Sequence, residues 1–199
     1  MRLIALLFLL LTSGCGTVVV GGVAETGQRL AEDRSGENQL LDAKIYTTFN
    51  QKLIEFDKEL YFDVSLDVYE QRVMLTGTLD NNNTLVKIQE MLYQDERIKE
   101  VINEVQLVTP AAKNNMRSMR KAGDTVAQSS GDLWIETKIK TQLVTNKYVH
   151  SVNYRWRSVN NRVYLLGRAI TQGELDQALN TIRSIKGVSS LKSHVIVRP

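Results

Sequence analysis

The chain has 199 residues, of which 43% are hydrophobic and 24% charged, with a formal net charge of +3 and a single cysteine. That balance excludes a fibrous or wholly disordered polymer, and one thiol excludes a scaffold held by internal disulfides. The length suits two small domains or one of medium size.

Met1-Arg2 opens the chain with one positive charge. Leu3 to Leu11 is then unbroken apolar sequence, followed by Thr12-Ser13-Gly14-Cys15. The run falls short of the ~20 apolar residues a bilayer span needs. It has the layout of a secretory signal, against the alternative of a buried N-terminal helix. The residues up to Cys15 resemble the bacterial lipobox, with Thr12 where that pattern has Leu. The resemblance implies a signal peptide over residues 1–14 and acylation of Cys15 with chains such as palmitate. Gly16, in place of Asp, implies export to the outer membrane. The alternative for Cys15 is a free buried thiol. Acyl chains contribute about 0.8 kcal/mol per buried methylene, so two or more anchor stably.

Residues 15–41 read as lipid anchor and tether, and residues 109–131 as a linker, because both lack a sustained apolar period. The segments 42–108 and 132–199 match each other at an offset of 90 residues. Asp42 then pairs with Asp132, Ile45 with Ile135, Leu53 with Leu143, Val73 with Val163, Leu75 with Leu165 and Gly77 with Gly167. This is an internal duplication.

Each copy predicts the same elements. Ile45, Phe49 and Leu53, like Ile135, Ile139 and Leu143, form a helical core stripe. The alternating run Phe62 to Val68 predicts a strand. A short turn at Glu70-Gln71 or Asn160-Asn161 leads to a second strand over 72–77 or 162–167, which makes an antiparallel hairpin. A second helix is expected over 83–94 and 172–185, and a last strand over 101–108 and 191–197. The expected fold class is α+β: two αββαβ units, each a three-stranded sheet with two helices on one face. Gly77 and Gly167 mark a bulge or a close backbone approach.

Two αββαβ repeats, each with a V-x-L-x-G-like strand (Val73-Met74-Leu75-Thr76-Gly77 and Val163-Tyr164-Leu165-Leu166-Gly167), resemble BON domains, small modules of bacterial envelope proteins. The string Trp134-Ile135-Glu136-Thr137-Lys138 strengthens the likeness in the second copy. The resemblance implies a lipid-anchored protein on the periplasmic face of the outer membrane that binds anionic phospholipid and supports envelope integrity. It also implies that the first helix of the second module is the lipid-binding element, through Leu133, Trp134, Lys138, Thr141 and Val144.

Charge divides between the copies. Residues 42–108 hold 7 Lys+Arg against 13 Asp+Glu, net −6; residues 132–199 hold 11 against 4, net +7. A basic module attracts anionic surfaces, and export sets nucleic acid aside. The alternatives are mutual attraction of the two modules, or a solubility feature. Trp134 lies one position from core residue Ile135, about 100° round the helix, and its counterpart is Lys44. It is expected to face outward as an interfacial anchor; the alternative is packing against the first module or the linker. Asp63, Asp67 and Glu70 alternate with apolar neighbours and read as a solvated face. His150 and His194 lack triad partners at a recognisable spacing, and no metal-ligand or phosphate-loop motif occurs. No enzyme, cofactor, metal or small-molecule substrate is expected. The competing function is a periplasmic protein-interaction or chaperone-like module, with the acidic first unit as its docking surface for an envelope protein.

Overall fold

The computed structural model describes residues 32–121 and 129–198. Cys15 and the signal segment lie outside them. The first module runs α1 (Gly36–Phe56), α2 (Leu60–Asp63), β1 (Val64–Tyr69), β2 (Arg72–Leu79), α3 (Asn82–Tyr93), β3 (Glu100–Leu107) and α4 (Pro110–Lys121). The second runs α5 (Ser129–Thr145), a 3-10 turn at Ser151–Asn153, β4 (Tyr154–Val159), β5 (Arg162–Ala169), α6 (Gln172–Arg183) and β6 (Ser190–Val197). Each sheet has its hairpin strand in the middle: β1 and β4 pair antiparallel with β2 and β5, which pair parallel with β3 and β6.

The stripes Ile45/Phe49/Leu53 and Ile135/Ile139/Leu143 are buried against Leu66, Val73 and Leu75, and against Val163 and Leu165, respectively. The helices α3 and α6 add Leu85, Ile88 and Leu92, and Leu175, Ala178 and Ile182. At roughly 1.5–3 kcal/mol per buried large aliphatic side chain, each stripe supplies much of its module's stability.

The hairpin turns need a backbone that side chains resist. Glu70, Gln71, Asn160 and Asn161 all have φ between +52° and +62°, the two-residue turn that matches strand twist. A helix carboxylate holds each turn. Asp42 accepts from the amides of Glu70 and Gln71 at 2.7 Å each; Asp132 accepts from Asn160 and Asn161 at 2.9 and 2.8 Å. The pairing of Asp42 with Asp132 across the duplication thus has a geometric cause: one aspartate ties the helix to the hairpin in each module.

Four expectations are corrected. Phe62 and Asp63 belong to the helical turn α2, not to a strand: Leu60 and Asp63, three residues apart, are both buried while Phe62 is exposed. The segment expected to be a linker contains α4. Its Lys113 and Arg117, four residues apart, both reach Asp63, at 2.9 and 2.6 Å, and Lys113 Nζ donates to Thr78 O at 2.6 Å. Polar contacts of this kind leave no apolar period. The helix α1 begins six residues before Asp42, capped by the Ser35 hydroxyl, which accepts from Asn38 N.

The fourth correction concerns the solvated face. Asp63, Asp67 and Glu70 are 7%, 8% and 8% exposed. The two sheets pack against each other through the faces their helices leave open, with Tyr69, Met74 and Ile102 against Tyr164 and Leu166. Asp67 meets Arg157 at 2.7 Å. Glu104 meets Lys192 and His194 at 2.6 and 2.7 Å. Glu70 pairs with Arg198 and lies 3.6 Å from Arg168, and Glu32 takes Arg155 at 2.5 Å. Alternation reports one wetted side of a strand, but here a second sheet covers that side at Asp67 and Glu70, and α4 covers Asp63. Asp67–Arg157 and Glu104–His194 each join residues 90 apart, so each position meets its own counterpart, as at a twofold interface.

Candidate functional site

The helix α5 presents its core stripe inward and leaves its other side open. Leu133, Trp134 and Val144 are 64%, 44% and 63% exposed, and Thr137, Lys138, Lys140 and Thr141 are exposed too. At about 100° per residue, Leu133, Trp134, Thr137, Thr141, Val144 and Thr145 fall within an arc of about 120°, with Lys138 bordering one side and Lys140 the other. All five residues expected to bind lipid therefore lie on one exposed face.

The threonines on this face are less polar than their formula. The hydroxyls of Thr137, Thr141 and Thr145 donate to the carbonyls of Leu133, Thr137 and Thr141 at 2.8, 2.9 and 2.9 Å. A hydroxyl spent on the preceding turn leaves the methyl as the outward group. Two cation–aromatic pairs mark the ends: Lys138 Nζ sits 5.6 Å from the Trp134 ring centroid, and Lys147 Nζ 4.9 Å from that of Tyr148. Tyr148 is 61% exposed. It lies past the helix end, outside any helical period, so no periodicity marks it as part of this face.

The second module's charged residues fall into two groups. Arg155, Arg157, Arg168, Lys192 and Arg198 are taken up by the first module's acids or by Glu32. Lys138, Lys140, Lys147, Arg162, Arg183 and Lys186 are exposed. Of the acids, Asp132, Glu136 and Glu174 accept hydrogen bonds from within the module, and Asp176 is exposed. Mutual attraction and an exposed basic surface are thus both present.

Glu136 faces inward and accepts from Ser158 N at 2.9 Å. Burial raises its pKa above the ordinary carboxyl range, against the opposing pull of that N–H and of Arg157. A raised folded-state pKa means that the fold binds the proton more tightly. The stability this gives is complete below the unfolded carboxyl value of ~4.3 and is lost as pH rises through the folded one. Glu136→Gln is expected to raise the melting temperature at neutral pH, with the gain vanishing near about pH 3; thermal scans across pH check this.

Tyr69 lies under two guanidinium groups, 4.7 Å from Arg34 and 5.5 Å from Arg155. Burial, then Glu70, pushes its phenol up to about 12, so it stays neutral between the modules. His150 and His194 lie beside Glu174 and Glu104. Among the described residues no cluster of three His, Cys, Asp or Glu side chains could hold a metal ion, and no helix is long and apolar enough to cross a membrane.

The BON domain family model matches residues 131–199. An uncharacterized protein in the gshII 5′ region of Anaplasma centrale is 30% identical over 154 residues, covering 77% of this chain and 93% of that protein. Outer membrane lipoprotein DolP of Haemophilus influenzae is 25% identical over 180 residues, covering 89% and 86%. Among solved structures, the C-terminal domain of CdsD, a structural protein of the type III secretion system of Chlamydia trachomatis, aligns over 79% of this chain and 67% of that one, at 14% identity and a TM-score of 0.30. With its family match, its duplicated αββαβ units and relatives that span most of its length, the chain belongs to the BON-domain family.

Proposed function

We propose that this BON-domain protein is a non-enzymatic lipoprotein, held through Cys15 on the periplasmic face of the outer membrane. Its second module docks on anionic phospholipid through the outer face of α5 and so supports envelope integrity. One observation carries the reading: an exposed apolar arc of Leu133, Trp134 and Val144, with inward-bonded threonine hydroxyls between them and lysines on both borders. Such an arc suits the headgroup zone, where an indole finds an apolar body and a wet N–H. Each nearby lysine adds about 1 kcal/mol toward an anionic surface. The similarity to an outer membrane lipoprotein supports the location.

Trp134→Glu is expected to weaken sedimentation with phosphatidylglycerol vesicles by about tenfold or more, some 1.4 kcal/mol. Binding of the unmodified face should fall with salt and be weak on neutral vesicles. A Trp134→Glu chain that binds at full strength would remove α5 from the account.

A second reading, a protein-interaction module, draws on the first module. There Tyr46, Ile54 and Tyr61 line a largely apolar groove on an acidic unit. Its test is a protein crosslink at this groove that survives Trp134→Glu.

A further inference from the structure

The outer edge of β4 is closed by its own module, and the equivalent edge of β1 is not. Each hairpin turns in two residues, so Tyr69 pairs with Arg72 and Val159 with Arg162. The pair that closes such a turn exchanges both hydrogen bonds, and the next residue back points its N–H and C=O away from the partner strand. Those outward groups belong to Val68 and Leu66 in β1, and to Ser158 in β4. In the second module Glu136 of α5 turns in and accepts from Ser158 N at 2.9 Å. At the 90-residue offset its place is held by Tyr46, which is 45% exposed. A phenol has no carboxylate to turn in, and β1 is the end strand of its sheet, so the Val68 amide stays on an open edge.

A groove runs along this edge. Beside Leu66 and Val68 lies a hollow of about 460 Å³, walled by Asp42 and Tyr46 of α1 and by Arg155 and Arg157 of β4. Tyr46 and Thr47 also line the apolar hollow that ends at Ile54 and Tyr61, so the two adjoin. The α1 residues along them run from Gln39 to Glu55, about 24 Å of helix. That is the length of about seven extended residues. The ends differ in chemistry. At one, Arg157 gives Nε and Nη2 to Asp67, which leaves its Nη1 donors for another acceptor. At the other, Ile54 and Tyr61 offer exposed apolar surface.

Open ladder groups call for another backbone. An acyl chain has no donor or acceptor to offer, and a helix spends its own internally. We propose that the groove binds an extended segment of a partner protein, which adds to the edge of β1 as a fourth strand. An acidic side chain of that segment meets Arg157, and an apolar one lies on Ile54 and Tyr61. This rests on the protein-interaction reading of the first module and narrows it from a surface to a backbone-paired strand.

The test selects random seven-residue peptides, displayed on phage, on the mature chain with Cys15→Ser. Enriched peptides are expected to alternate apolar residues and to carry Asp or Glu at one end. Synthetic copies are titrated by fluorescence polarisation. Methylating alternate peptide nitrogens separates backbone pairing from side-chain docking: one alternate set should lose binding by about tenfold or more, and the other should keep it. Tyr46→Glu, which installs the second module's residue beside Val68, is expected to weaken binding about tenfold with an unchanged thermal melt. Ile54→Ser, at an exposed position, should weaken it by a smaller factor. Peptides that respond equally to both methylation sets overturn strand addition and leave the protein-interaction reading standing. Peptides indifferent to both Tyr46→Glu and Ile54→Ser overturn the groove. A chain that dimerises in sedimentation, and loses the dimer in Tyr46→Glu, makes a second copy the occupant and overturns the partner. No enrichment overturns the proposal; if no protein crosslinks at Tyr46 either, the protein-interaction reading falls with it.

Discussion

Gly167→Ala is expected to unfold the second module. A Cβ at Gly167 would lie 2.1 Å from Asn153 O and 3.0 Å from Tyr154 Cα, at φ +148°. These are backbone atoms, so no rotamer relieves the clash, and β4 and β5 must part at the pair Tyr154–Gly167. Breaking that register removes Tyr154 and Leu165 from the core. The cost belongs to the rare class above ~4–5 kcal/mol, against a usual total of about 5–15 kcal/mol for a domain. Gly77→Ala should do the same to the first module, where the Cβ would stand 2.3 Å from Asp63 O. Circular dichroism melts check both. Gly173→Ala is the control: at the start of α6 its nearest contact is Thr171 Oγ1 at 4.0 Å, so a gain of up to about 1 kcal/mol is expected from the stiffer unfolded chain.

Asp63→Ala is expected to cost about 3 kcal/mol, the lower end of the ~3–5 kcal/mol for breaking a buried ion pair. The side chains of Asp63 and Lys113 are each 2% exposed, so the variant strands an ammonium away from water. The lower end applies because Lys113 keeps Thr78 O and Thr78 Oγ1 at 2.6 and 3.0 Å. Arg117, with a side chain 28% exposed, can turn to solvent. Lys113→Met in the Asp63→Ala background should recover part of the loss, since it removes the stranded ammonium and its desolvation penalty. Urea unfolding of the single and double variants measures the coupling. A single variant that melts with the parent would show that α4 does not brace the first module.

The duplication, the core stripes and the hairpins were legible because each leaves a local period: Ile45/Phe49/Leu53 repeats at helical spacing, and Val73/Leu75 at strand spacing. The exposure of Trp134 followed from Lys44, its counterpart, which is seldom buried. What escaped has no period. Lys113 and Arg117 dock α4 by charge. Asp67 and Glu70 looked wetted because alternation cannot say whether another sheet covers a strand's second face.

The counterpart contacts across the sheets carry a consequence for assembly. In a pair of identical units, position 67 would face itself, and so would position 104. Two aspartates or two glutamates would then be buried together, at the cost of like charges in a poorly screened place. Two copies on one chain escape that constraint, because each is free to take one sign. Here the first copy carries Asp67 and Glu104, and the second Arg157 and His194. Each half is thereby unfit to pair with itself and fit to pair with the other. A twofold-like contact is thereby filled by two unlike surfaces on one polypeptide, which disfavours the pairing of like modules from two chains.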